Sequence, residues 1–75
     1  MTDRERDFAA LGIEYAEGIE MCDAVVIPST GREARRKPNG RWEAQPGPPH
    51  ADNYWVEFAD LLDAIRFGTN GERPS

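Results

Sequence analysis

The chain has 75 residues and a formal net charge of −5, with 14 acidic residues against 9 Lys and Arg. General binding to nucleic acid or to anionic membranes favours a basic chain, and this composition speaks against both. A single cysteine excludes a disulfide within the chain, and with a single histidine it argues against a closed zinc site, so we expect no cofactor and no structural metal.

The length predicts one small domain over residues 1–75. The core of a domain of this size supplies only roughly 3–5 kcal/mol, and small scaffolds gain further stability from disulfides, metals or partner subunits. Oligomerisation, with a homodimer as one possibility, or docking on a larger protein is therefore expected. The chain shows no signal-peptide pattern and no long apolar run, so we expect a cytoplasmic protein that has no contact with membranes.

The N-terminal segment has the pattern of an amphipathic helix. Thr2 and Glu5 form a capping-box pattern, and five residues share a stripe of about 100° on a helical wheel: Phe8, Leu11, Tyr15, Ile19 and Cys22. This predicts a helix over 3–17 that ends near Gly18, with Cys22 as a small core residue. A strand that begins at Ile13 is the alternative, so the sequence leaves residues 13–21 open between helix and strand.

The middle of the chain predicts a small three-stranded antiparallel sheet over 21–45. A β-branched run ends at Pro28, and two further strands flank the turn signal Pro38-Asn39-Gly40. Between residues 32 and 41 the charge is +5 − 1 = +4. We name as the basic hairpin the cations of this segment and the tryptophan that follows them: Arg32, Arg35, Arg36, Lys37, Arg41 and Trp42.

Three interpretations of the basic hairpin stay open. It could fold back on acidic helices of the same chain and neutralise them. It could meet an acidic partner or a second copy of the chain. It could bind phosphate or RNA, with Trp42 stacking on a base, although Trp42 is the type of residue that packs beneath a sheet. Arginine suits contacts to carboxylate and phosphate alike.

The C-terminal part predicts a Pro-rich linker over 46–51, a helix over 53–67 and a flexible polar tail over 69–75. Asp52 or Asn53 would cap the helix and Gly68 would follow its end. The predicted core stripe of the helix spans about 120° and consists of Tyr54, Trp55, Phe58, Leu61, Leu62 and Ile65.

The opposite side of this helix predicts a partner-binding face. If residues 54–67 form one helix, Val56 and Phe67 frame a row of carboxylates that recur every three residues. We group these residues with the acidic stripe of the first helix as the acidic face: Val56, Glu57, Asp60, Asp63, Phe67, Asp7, Glu14 and Glu17. Such a surface could imitate a row of phosphates or serve only to keep the protein soluble.

No motif predicts catalysis. His50 lies near Asp52, and Ser29, Thr30 and Cys22 are nominal nucleophiles, but nothing in their spacing places a base beside a nucleophile. We therefore expect a protein that is not an enzyme. Oxidation of Cys22 to an intermolecular disulfide is an alternative to its predicted place in the core.

The chain resembles, in type, the small phage-encoded inhibitors that include anti-CRISPR proteins. It is short, acidic and without motifs, and it is rich in the residues that GC-rich codons encode, namely Gly, Ala, Arg and Pro. The resemblance implies a phage or mobile element of a high-GC bacterium as its source. It also implies a protein that covers a host protein's surface, often where nucleic acid would bind.

The sequence thus favours an α+β protein that binds and inhibits a nucleic-acid-handling host complex through its acidic face. A nucleic-acid- or phosphate-binding module that uses the basic hairpin is the first alternative. A small structural or assembly subunit is the second.

Overall fold

The computed structural model describes residues 3–13, 18–47 and 54–73. It confirms the α+β class, with two helices and a four-stranded antiparallel sheet. In chain order the elements are helix α1 (Asp3–Ala10), a 3-10 helix (Ile19–Met21), strands β1 (Ala24–Val26), β2 (Glu33–Arg36), β3 (Trp42–Ala44) and β4 (Val56–Phe58), and helix α2 (Leu61–Asn70).

The strands follow one another across the sheet in the order β1-β2-β3-β4, and each pairs antiparallel with its neighbour. One row runs through the middle of all strands, with Val25 opposite Ala34, Ala34 opposite Ala44, and Ala44 opposite Val56. The sheet therefore has one strand more than the sequence predicts, and the additional strand is β4.

The predicted C-terminal helix over 53–67 is wrong in its first part. Residues 56–58 alternate between apolar and charged side chains, and this period suits a strand that pairs with β3. Asp60 has extended backbone angles and its side chain accepts a hydrogen bond from the Leu62 N–H, so α2 begins only at Leu61. The helix ends before Gly71, at φ 79°, and not at Gly68.

The predicted N-terminal helix is also too long. Gly12 has a φ of +87° and donates to the Ala9 carbonyl, while the Ile13 N–H donates to the Phe8 carbonyl. This pair of bonds is a Schellman motif, which terminates α1 after Ala10 and brings Ile13 against Phe8. Residues 14–17 of the predicted helix lie outside the described residues, and the segment after them contains the 3-10 helix.

The core lies between the sheet and α2. Phe58 and Phe67 pack with their ring centroids 5.2 Å apart, and Trp42 is buried as the sequence predicts. Cys22 is exposed, so its predicted place in the core is wrong, because α1 ends long before it.

Both the linker and the tail of the C-terminal part differ from the prediction. Pro46 and Gly47 are buried, and the Gly47 N–H donates to the Phe67 carbonyl, so the chain packs tightly as it leaves β3. The remainder of the predicted linker lies outside the described residues. Thr69 and Asn70, which the sequence assigns to the tail, form the last turn of α2.

Candidate protein-binding site on the outer face of the sheet

The four-stranded sheet has two different faces. The inner face carries the buried row of Val25, Ala34 and Ala44 and packs on α2. The side chains between these point to the opposite side, because successive residues of a strand alternate between faces. We name this side the outer face. Its side chains are exposed or half-buried and belong to Ala24, Val26, Glu33, Arg35, Glu43, Trp55 and Glu57, with Lys37 and Arg41 bound to Glu57.

Charges on the outer face are arranged as complementary pairs across the strands. The Lys37 ammonium donates to the Glu57 carboxylate at 2.5 Å, and the Arg41 guanidinium pairs with the second oxygen of the same carboxylate. The hydrogen bond from Lys37 lowers the pKa of Glu57, and the same bond raises the pKa of Lys37. Two cations from the β2–β3 hairpin are thus bound to one anion of β4.

An aromatic residue lies on the outer face beside these pairs. The guanidinium carbon of Arg35 lies 4.7 Å from the centroid of the Trp55 ring, and its Nε lies 3.5 Å from the Glu33 carboxylate. Trp55 keeps 37% of its surface exposed and the neighbouring Tyr54 keeps 46%. Both were assigned to the core stripe of a helix; in the structure they directly precede β4 and are exposed.

The remaining members of the basic hairpin also have partners within the chain. Arg32 donates to the side-chain oxygen of Gln45 at 3.3 Å, and the Arg36 guanidinium lies 5.0 Å from the centroid of the Trp42 ring. Trp42 is only 5% exposed and presents no free ring for stacking on a base. This arrangement supports neutralisation within the chain, although the bound acids lie on the sheet and not on helices.

The predicted acidic face is not one surface. Val56 and Glu57 lie on β4, and Phe67 is 1% exposed in the core, because β4 and α2 are separate elements. Asp60 caps α2, and Asp63 in the first turn of α2 lies 4.0 Å from Arg66. On α1 the predicted residue Asp7 is exposed. The other two predicted residues, Glu14 and Glu17, lie outside the described residues.

Arg4 forms a cluster that the sequence analysis missed. Its guanidinium donates to the Glu20 carboxylate and to the Asp60 carboxylate, with two hydrogen bonds to each, and lies 5.2 Å from the Phe8 ring centroid. The hydrogen bond from Arg4 lowers the pKa of Asp60. The partners are 16 and 56 residues away in sequence, so no local pattern could have indicated them.

The comparisons with known proteins add no family to this description. No family model, curated protein or solved structure matches the chain. In the described part of the chain, no three His, Cys, Asp or Glu side chains are grouped so that they could hold a metal ion. None of the helices described is long and apolar enough to cross a membrane.

Proposed function

We propose that the protein acts by binding another protein through the outer face of its sheet, with Trp55 and Arg35 at the centre of the contact. The observation that supports this is the half-exposed Trp55 ring beneath the Arg35 guanidinium. Trp, Tyr and Arg are the residues most enriched among those that carry the binding energy of protein interfaces. The Arg35 contact holds the indole in place, which reduces the entropy that binding would cost.

The charge balance of the outer face favours a protein partner over nucleic acid. The cations and anions that meet there are equal in number: Arg35, Lys37 and Arg41 against Glu33, Glu43 and Glu57. A surface without net charge gains little from the release of counterions, which dominates the affinity of phosphate-binding proteins. Mixed charges around an aromatic centre are typical of the polar rim of protein interfaces.

We further propose that the partner is a nucleic-acid-handling complex of a bacterial host, which the chain inhibits as anti-CRISPR proteins do. Because the outer face is balanced, the net charge of −5 belongs to the rest of the molecule. Asp7 on α1 is an exposed part of this surplus, whereas Asp3 pairs with Arg6. The surplus negative charge would be attracted to the basic groove in which such a complex holds its nucleic acid.

The experiment is affinity capture from a lysate of a high-GC bacterium, with and without nuclease, by wild type, Trp55→Ala and Met21→Ala. Met21 is the most exposed large apolar residue described, at 86%, and its variant is the matched control. We expect wild type to capture one protein complex, with and without nuclease. Met21→Ala should bind this complex with the affinity of wild type, and Trp55→Ala should bind it at least about tenfold more weakly.

If Trp55→Ala, with its fold verified by circular dichroism, captured the complex as well as wild type does, the proposed contact would be contradicted. Capture that nuclease abolishes would favour the basic hairpin as a nucleic-acid-binding module. Reversal of Asp60 and Asp63 to arginine is not a suitable test of the acidic residues, because Asp60 caps α2 and binds Arg4.

A further inference from the structure

Two residues of β1, Ala24 and Val26, have backbone N–H and C=O groups that do not bond to β2 and point to the edge of the sheet. The Arg36 N–H donates to the Asp23 carbonyl and the Ile27 N–H donates to the Arg32 carbonyl, each at 2.7 Å. Hydrogen-bonded pairs alternate along an antiparallel ladder, so Val25 also bonds to β2. Among the described residues no strand pairs with the other side of β1, so the N–H and C=O groups of Ala24 and Val26 point to an open edge of the sheet.

This edge is short, at three residues, but it has no charged side chain, proline or bulge. Natural edge strands are protected by their shortness, or by Lys, Pro or a bulge that prevents pairing with another chain. Strand β1 is Ala-Val-Val, without a charge, and Val26 is 50% exposed. The other edge strand, β4, differs in this respect. Its side chain on the outer face is that of Glu57, which is charged and paired.

The neighbours of β1 allow one register for pairing with a second copy. A two-fold axis at Ala24 would require the Cys22 N–H, which already donates to the Ile19 carbonyl at 3.1 Å. An axis at Val26 would require an N–H from Pro28, which proline lacks. An axis at Val25 places Ala24 of each protomer opposite Val26 of the other and uses all the outward-facing groups of both residues.

The side chains on the outer face near the two-fold axis are also compatible with this register. The Val26 side chain of one protomer lies beside the small Ala24 of the other on the outer face. Glu33 is the cross-strand neighbour of Val26, and Arg35 is that of Ala24. Glu33 of one protomer and Arg35 of the other therefore lie in the same row, separated by Val26 and Ala24, and the register places no like charges next to each other.

We propose that the chain forms a two-fold dimer through β1, in which two copies build one continuous sheet of eight antiparallel strands. A sheet of this size is within the usual range, and its added hydrogen bonds stabilise a domain too small for a large core. The axis is perpendicular to the sheet, so both outer faces lie on the same side and present two Trp55 sites. The proposal is independent of the proposed partner, because it rests on the backbone groups of β1, whereas the proposed contact depends on the Trp55 side chain.

The test is the mass of the protein in solution, measured by sedimentation velocity from about 1 µM to about 1 mM, with amide hydrogen exchange on the same samples. We expect a dimer in which the Ala24 and Val26 amides become protected as the concentration rises. Val26→Lys places two ammonium groups diagonally across the axis and should raise the dissociation constant of the dimer at least about tenfold.

Met21→Lys is the matched control, since it adds the same charge at an exposed apolar site outside the strand, and it should dimerise as wild type does. A wild-type protein that stays monomeric over the whole range would overturn the proposal. So would a dimer whose Ala24 and Val26 amides exchange freely, because its contact would lie elsewhere. The exchange measurement needs no variant and decides the matter even if Val26→Lys fails to fold.

Discussion

Gly68 shows how a single hydrogen atom can determine the packing of a helix. It lies within α2 at the point where the helix crosses the end of β1, and a Cβ there would lie 2.1 Å from Ile27 Cδ1. Ile27 is fully buried, and protein interiors are close-packed, so moving its Cδ1 aside disturbs the neighbouring side chains. Glycine costs about 1 kcal/mol relative to alanine inside a helix, so close packing must outweigh helix propensity here.

We expect Gly68→Ala to lower the free energy of unfolding by about 1–3 kcal/mol, the usual cost of overpacking a core, although alanine is the better helix former. Ile27→Val removes the atom that the new methyl group would meet. Urea unfolding of wild type, both single variants and the double variant should therefore give a double-variant loss smaller than the sum of the single losses. Additive losses, or a stabilised Gly68→Ala, would show that the contact with Ile27 does not select glycine.

At the scale of elements, the Arg4 cluster joins α1, the 3-10 helix and the first turn of α2. One guanidinium binds carboxylates of Glu20 and Asp60, and Asp60 also caps α2. The folded-state pKa of Asp60 is lowered, chiefly by the hydrogen bond from Arg4. The stability that this pair supplies is therefore complete above the usual Asp pKa of about 4 and is lost as the pH falls through the lower folded value.

Arg4→Gln should return the pKa of Asp60 toward its usual range and remove this part of the acid sensitivity. Because both side chains are more than one third exposed, we expect a loss of only about 0.5–1 kcal/mol at pH 7. The Asp60 pKa can be followed by NMR of the carboxyl carbon, with Arg6→Gln as a control that removes an exposed arginine of the same helix. An unchanged Asp60 titration in Arg4→Gln would show that the cap, not the ion pair, sets its pKa.

The elements that sequence analysis predicts correctly are those specified by local chemistry. The β2–β3 hairpin follows from Pro38-Asn39-Gly40: the Gly40 N–H donates to the Lys37 carbonyl, and the Asn39 side chain accepts from the Arg41 N–H. The Schellman motif at Gly12 was equally local, but the apolar stripe that continues past it suggested a longer helix.

Strand β4 could not be predicted in this way. Residues 54–58 fit both a helical stripe and a strand, and only pairing with β3 distinguishes the two. The candidate site depends on that distinction. As a strand, the segment turns Trp55 and Glu57 to the outer face, where they meet Arg35 and Lys37. The sequence could not identify the partner of Lys37 and Arg41, because Glu57 lies on a strand that the sequence had assigned to a helix.

At the scale of the whole molecule, the apolar side chains of the described residues form one core cluster. Phe67 belongs to it and contacts Phe58, whereas the sequence placed Phe67 on an exposed binding face. Removing a buried phenylalanine ring costs roughly 3–5 kcal/mol. That is as much as the whole core of so small a domain is expected to supply, roughly 3–5 kcal/mol.

Phe67→Ala should therefore leave most of the protein unfolded at 25 °C, with loss of the near-ultraviolet circular dichroism of its aromatic residues and of dispersed amide signals in NMR spectra. Tyr54→Ala, at a side chain that is 46% exposed, should change the free energy of unfolding by less than about 1 kcal/mol. The contrast separates a side chain that holds the fold from an exposed one, so a binding defect in Phe67→Ala would report on lost folding and not on the interface. A folded Phe67→Ala variant would mean that the contacts between sheet and α2 are not what holds this chain together.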